Sequence, residues 1–117
     1  MKKILITDDS FYQRKVLSDL VTGLGYEADS VASGEELLET DVISYDCIFL
    51  DLLMTGISGI EVLERLKDRE NIPPIIVITA DIQQVRKDEC LSLGAHAFIS
   101  KIISGEEIEN VLNSLFN

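Results

Sequence analysis

Apolar residues along this chain follow two rhythms. Five short runs, KILIT (3–7), EADSVA (27–32), DCIFL (46–50), IIVIT (75–79) and HAFIS (96–100), have the length of strands. The runs 3–7, 46–50 and 75–79 are nearly continuous in apolar residues, which suits central strands of a parallel sheet covered on both faces. The run 27–32 alternates more and suits an edge. Between the runs the spacing changes. Leu17, Leu20, Val21 and Leu24 stand at i, i+3, i+4, i+7, as do Ile108, Val111, Leu112 and Leu115; Gly59, Val62, Leu63 and Leu66 repeat it less strongly. These are buried stripes of helices.

The helix starts carry a repeated device. Ser33-x-x-Glu36, Ser58-x-x-Glu61 and Ser104-x-x-Glu107 are capping boxes, in which the serine hydroxyl accepts from a free amide of the first turn. Ser10-x-x-Gln13 and Asp81-x-x-Gln84 are weaker versions, and Gly25 and Gly94 stand where helices should stop. Strand–helix alternation repeated five times predicts an α/β fold: a doubly wound five-stranded parallel sheet with helices on both faces and right-handed crossovers. The chain is too small for a TIM barrel. The helix around residues 83–93 has the poorest apolar stripe, so it should be the least firmly packed.

Composition narrows the function. The 117 residues, with no linker and no repeat, fit one domain, 1–117. A formal charge of −11, from 10 Lys+Arg against 21 Asp+Glu, argues against unaided binding to nucleic acid or to an anionic membrane. The apolar run after Met1-Lys2-Lys3 is too short for a signal peptide or a span. Cys47 and Cys90 lack metal-ligand spacing and sit in apolar patterns, which predicts buried free thiols in a reducing compartment, the cytoplasm.

The polar residues fall in telling places. Asp8 and Asp9 follow the first strand, Asp51 the third and Lys101 the fifth, while Thr79 ends the fourth. All lie at carboxyl ends of strands, the edge where open α/β sheets bind ligands at the topological switch point. In a sheet of order 2-1-3-4-5 the switch lies between strands one and three, so three carboxylates meet there. At about 4 Å their repulsion is on the order of 4 kcal/mol per pair at an effective dielectric near 20. A divalent hard cation offsets it economically, and Mg²⁺ takes a few carboxylate oxygens while bridging to phosphate. With Lys101 and Thr79 alongside, the set suits phosphoryl transfer, which needs mainly positioning and charge compensation.

Taken together, ILITDDS, IFLDLLMTGISG, IIVITA and AFISK resemble the receiver domain of bacterial two-component response regulators, over the whole chain and at the length of a stand-alone chemotaxis-type (CheY-like) receiver. The resemblance implies a flavodoxin-like fold and a role for each residue. Asp51 is the expected phosphoryl acceptor. Asp9 binds Mg²⁺ directly, Asp8 directly or through water, and the Leu53 backbone carbonyl is a further ligand. Thr79 and Lys101 contact phosphoryl oxygens after transfer. Phe98 is the switch aromatic that turns inward behind Thr79, remodelling the face of the fourth helix, fifth strand and fifth helix that an output partner reads. The donor is a histidine kinase or phosphotransfer protein, and the chain catalyses only its own phosphorylation and slow dephosphorylation, not reactions of external substrates.

Alone, each residue has an ordinary explanation: Asp9 as a helix cap, Thr79 as a strand threonine, Lys101 as a solvated lysine, Phe98 as core. His96 reads as structural or exposed. The sequence also departs from the family pattern. Ile102 stands where proline commonly follows the lysine, which leaves open whether the Lys101–Ile102 bond is cis. Thr55 and Ile57 replace a common proline and methionine, predicting a looser loop after Asp51. Leu53 and Asp81 occupy the variable positions two residues past Asp51 and Thr79, where they are expected to set acyl-phosphate lifetime, Leu53 by excluding water and Asp81 by orienting water or repelling an anionic donor. Two other functions compete. One is a pseudo-receiver, a constitutive protein-binding module on the same fold. The other is a small phosphohydrolase or flavin module, which lacks its second acid, since Leu53 fills that place, and its phosphate loop, since TDDSFYQ is acidic. The chain ends soon after the fifth helix, which fits either a stand-alone receiver or one cut from a longer regulator.

Overall fold

Strands with no polar face must be covered on both sides, and that requirement organises the molecule. The computed structural model describes residues 1–117. It contains β1 (Lys3–Thr7), α1 (Phe11–Gly23), β2 (Glu27–Val31), α2 (Gly34–Glu39), a short 3₁₀ turn (Val42–Ser44), β3 (Cys47–Leu50), α3 (Gly59–Lys67), β4 (Ile75–Thr79), α4 (Gln84–Ser92), β5 (Ala97–Ser100) and α5 (Gly105–Phe116). The five strands are parallel, in the order β2-β1-β3-β4-β5. The expected architecture is therefore present, with strand limits shifted by one residue at Asp46, His96 and Ala32. The 3₁₀ turn has no counterpart in the periodicity, because three residues are too few to show one.

Alternation along each central strand divides the core. Leu5, Ile48, Leu50, Ile75 and Val77 face the layer of α2, α3 and α4; Ile4, Ile6, Cys47, Phe49, Ile76 and Ile78 face α1 and α5. Full burial of one such side chain contributes about 1.5–3 kcal/mol, so the two layers hold the sheet in one register. A one-residue slip of β3 would exchange its two faces. α4 is the least buried helix, as its sequence predicts: Cys90 is its one buried residue. Both cysteines are free and buried. Burial pushes the Cys47 thiol up to about 12 and the Cys90 thiol up to about 11, with the neighbouring Asp46 and Glu89 charges adding to the push.

The capping signals act as the sequence predicts at α1, α2, α3 and α5. Ser10, Ser33, Ser58 and Ser104 each accept from the amide three residues on. Gly25 and Gly94, at φ 96° and 100°, follow the last helical turns of α1 and α4 in the left-handed conformation that glycine adopts without steric cost. The Asp81 signal is different. Gln83 takes the N-cap position of α4 without a side-chain bond, and Asp81 Oδ1 instead accepts from the Gln83 amide at 3.2 Å, two residues ahead of the cap. No helix is long and apolar enough to cross a membrane.

Candidate functional site

Parallel pairing brings the carboxyl ends of β1 and β3 side by side, with Thr7 opposite Leu50. The next residues, Asp8 and Asp51, therefore enter one crevice, and the Asp51 amide donates to the Thr7 carbonyl at 3.1 Å. On the other side β4 and β5 end together, Thr79 opposite Ser100, and the Lys101 amide donates to the Thr79 carbonyl at 2.8 Å. Residues 50 and 93 positions apart in sequence thus become neighbours. Lys101 Nζ donates to Asp8 Oδ2 at 2.8 Å and to Asp51 Oδ2 at 3.0 Å.

Asp51 lies within the most apolar segment of the chain and is only 5% exposed; Asp8 is 2% exposed. Burial raises the Asp51 carboxyl above its ordinary value and the Asp8 charge adds to this, while the Lys101 ammonium and the Leu53 amide oppose it. Burial by itself lowers the Lys101 pKa, but its hydrogen bonds to Asp8 and Asp51 outweigh burial and the net shift is upward. The ammonium is therefore held charged. Each acid also has one oxygen fixed by a main-chain amide: Asp8 Oδ1 by Ser10 at 2.9 Å, Asp51 Oδ1 by Leu53 at 3.1 Å, Asp9 Oδ2 by Thr55 at 3.0 Å.

One carboxylate oxygen from each of Asp8, Asp9 and Asp51 lies within 4.8 Å of the others. Three carboxylates against one ammonium leave two net negative charges in a crevice of which two acids are buried. An all-oxygen donor set with that deficit fits a divalent hard cation such as Mg²⁺.

The remaining residues surround this group. Thr79 is fully buried, and its hydroxyl accepts from the Asp81 amide at 3.2 Å. Phe98 on β5 is half-buried against the core layer of α2, α3 and α4. Leu53 is 56% exposed. With Asp81 and Arg86 it borders a cleft of about 260 Å³ beside the start of α3. The Asp81 carboxylate faces Arg86 Nε at 3.5 Å, so both of its oxygens have partners. The Lys101–Ile102 peptide bond is cis, and Ile102 is 97% exposed. His96 is exposed, away from this group.

The loop after Asp51 is tied down, contrary to the looser loop that Thr55 and Ile57 suggest. Thr55 donates its amide and its hydroxyl to Asp9, and Ile57 packs on the core. Three contacts escape sequence reasoning. They are the Thr55–Asp9 pair, the Arg86–Asp81 pair, and the bond from Arg14 Nη1 to the Asp8 carbonyl at 2.8 Å. The first joins residues 46 apart, for which no spacing rule exists. Arg14 alone had a local signal, a cation in the first turn of the helix that follows the acids.

Comparison with known proteins agrees with this arrangement. Residues 4–113 match the response regulator receiver domain family. Over 119 aligned residues the chain is 32% identical to the hybrid signal transduction histidine kinase L of Dictyostelium discoideum; the match covers 94% of this chain but 7% of that protein's length. The fold is similar to that of the response regulator protein TrrA of Thermotoga maritima in complex with Mg²⁺-BeF, at a TM-score of 0.86 and 31% identity, covering 99% of this chain and 100% of the other. It is also similar to the chemotaxis response regulator CheY4 of Vibrio cholerae, at a TM-score of 0.88 and 26% identity, covering 99% of each chain. Likeness to the chemotaxis protein is no greater in sequence than likeness to TrrA, so it carries the family and not the chemotaxis subclass. With its five-stranded sheet and the acidic crevice between β1 and β3, the chain belongs to the response regulator receiver domain family.

Proposed function

We propose that residues 1–117 form one receiver unit, a phosphorylation-dependent switch of a two-component system with Asp51 as the phosphoryl acceptor. The observation that carries this reading is Lys101 Nζ bridging Asp8 and Asp51 at 2.8 and 3.0 Å, with a third carboxylate close by. Burial raises the Asp51 pKa, while the Lys101 ammonium and the Leu53 amide stabilise its carboxylate form, the form that acts as nucleophile. Its oxygen attacks the phosphorus of a phosphohistidine on a histidine kinase or phosphotransfer protein. A P–O bond forms as the P–N bond breaks, and the electron pair leaves with the imidazole. Asp9, Asp8, Asp51 and the Leu53 carbonyl would hold Mg²⁺, which when bound supplies positive charge to the phosphoryl oxygens.

Lys101 offers a second positive charge on the same side. Thr79 gives up its bond from the Asp81 amide and donates its hydroxyl to a phosphoryl oxygen. That movement frees space for Phe98, and the face of α4, β5 and α5 becomes the output surface. Leu53 and Asp81, two residues past Asp51 and Thr79, border the cleft beside the start of α3 and set the lifetime of the acyl phosphate. The buried free thiols suit the cytoplasm. A constitutive pseudo-receiver has no need for Lys101 to bridge two buried acids, and nothing in the site favours it. The test is incubation with Mg²⁺ and acetyl phosphate, followed by mass spectrometry. One added phosphoryl group, absent in Asp51→Asn, is expected; a folded protein that never gains it would overturn the reading.

A further inference from the structure

Asp9 differs from the other two acids in how it is held. Asp8 and Asp51 are buried and share the Lys101 ammonium. Asp9 is exposed and does not share it. An exposed carboxylate on a two-bond stem rotates freely unless something fixes it. Here Thr55 does so twice, its amide donating to Asp9 Oδ2 at 3.0 Å and its hydroxyl to the same oxygen at 3.1 Å. Two donors occupy both lone pairs of one oxygen and leave those of Oδ1 free. The donors come from the β3–α3 loop, the acceptor from the β1–α1 loop, so this pair ties together the two loops that carry the acids. A proline at position 55 would supply neither donor.

We propose that Thr55 is a positioning residue for the divalent cation: it fixes Asp9 with one oxygen anchored and the other presented to the metal. The proposal rests on the metal reading given under Proposed function and extends it to a residue that does not itself ligate. Groups that orient a metal ligand typically contribute 10–100-fold in metal affinity, and an exposed ligand with no other anchor depends on them most.

The experiment is Mg²⁺ titration of the metal-free protein, followed by backbone amide shifts and by calorimetry, with Thr55→Val and Thr55→Ser. Valine keeps the shape and the amide but removes the hydroxyl; serine keeps both donors. Thr55→Val is expected to bind Mg²⁺ about tenfold more weakly. Thr55→Ser is expected to stay within about twofold of the parent, since it keeps the hydroxyl that anchors Asp9. A purely space-filling threonine would give the opposite order, because valine matches its shape better. The proposal is overturned if Thr55→Val binds as tightly as the parent, or if Thr55→Ser is as weak as Thr55→Val. If the parent itself binds no Mg²⁺, the metal reading falls as well. Should Thr55→Val unfold, Thr55→Ala under the same titration takes its place, with the same expectation of weakening.

Discussion

Replacing Lys101 by methionine removes the ammonium that bridges Asp8 and Asp51 while keeping most of the side chain's apolar stem. The side chains of the two acids are 2% and 6% exposed and that of Lys101 15%, so all three are largely out of water. Leaving a buried charge without its partner costs about 3–5 kcal/mol. A carboxyl can escape that cost by taking up a proton. From an ordinary pKa near 4 this requires about 4 kcal/mol at pH 7 but only about 1.5 kcal/mol at pH 5. The expected loss is therefore about 3–4 kcal/mol at pH 7, shrinking to about 1–1.5 kcal/mol at pH 5.

The sign follows from proton binding. In the parent, the raised Lys101 pKa gives stability that is complete below the ordinary lysine value and is lost only as pH rises through the folded value, so it is constant from pH 5 to 8. In the variant the unpaired acids hold protons more tightly folded than unfolded, so stability falls as pH rises out of the carboxylate range. Urea unfolding in EDTA at both pH values measures the difference. For a domain of this size the loss at pH 7 corresponds to about 10–15 °C in Tm. A deficit below about 1 kcal/mol at pH 7, or one of equal size at pH 5, would refute the reasoning, because the bridge would then not be compensating buried charge.

Four further outcomes are expected. Asp51→Asn stabilises the metal-free protein at pH 7: the raised Asp51 pKa costs stability as pH rises from the ordinary carboxylate value through the folded one, so the gain should vanish in acid, and a gain that persists there would contradict it. Gly59→Ala drives a Cβ into the Asp51 carbonyl oxygen and to 2.7 Å from Leu52 Cα, so it should destabilise by about 2 kcal/mol and slow phosphorylation of Asp51, despite the better helix propensity of alanine; an unchanged urea midpoint would count against it. The Thr7 hydroxyl is buried without a partner, so Thr7→Val should be stabilising by about 1 kcal/mol, and a loss in urea unfolding would show that the hydroxyl is satisfied in solution. Leu53→Asn should shorten the acyl-phosphate lifetime severalfold, whereas Asp81→Ala should change it less because Arg86 and the Gln83 amide already engage that carboxylate; if neither variant alters hydrolysis, the two positions do not set the rate.

How much the chain alone determines can be read from particular residues. Continuous apolar runs at 3–7, 46–50 and 75–79 require cover on both faces, and serine caps mark four helix starts, so element order and sheet type follow from local chemistry. The same order puts Asp8, Asp51, Thr79 and Lys101 at strand ends, because parallel strands bring all their carboxyl ends to one edge. What tertiary structure decided is how those groups meet. Burial of Asp51, the two-way bridge of Lys101 and the Asp9–Thr55 tie depend on side chains 46 to 93 residues apart, and no local periodicity encodes such contacts. Asp81 illustrates the boundary: its spacing to Gln84 reads as a helix cap, but its carboxylate bonds the Gln83 amide and faces Arg86 instead. Local rules fix which atoms seek partners; packing of the two helical layers fixes which partners they find.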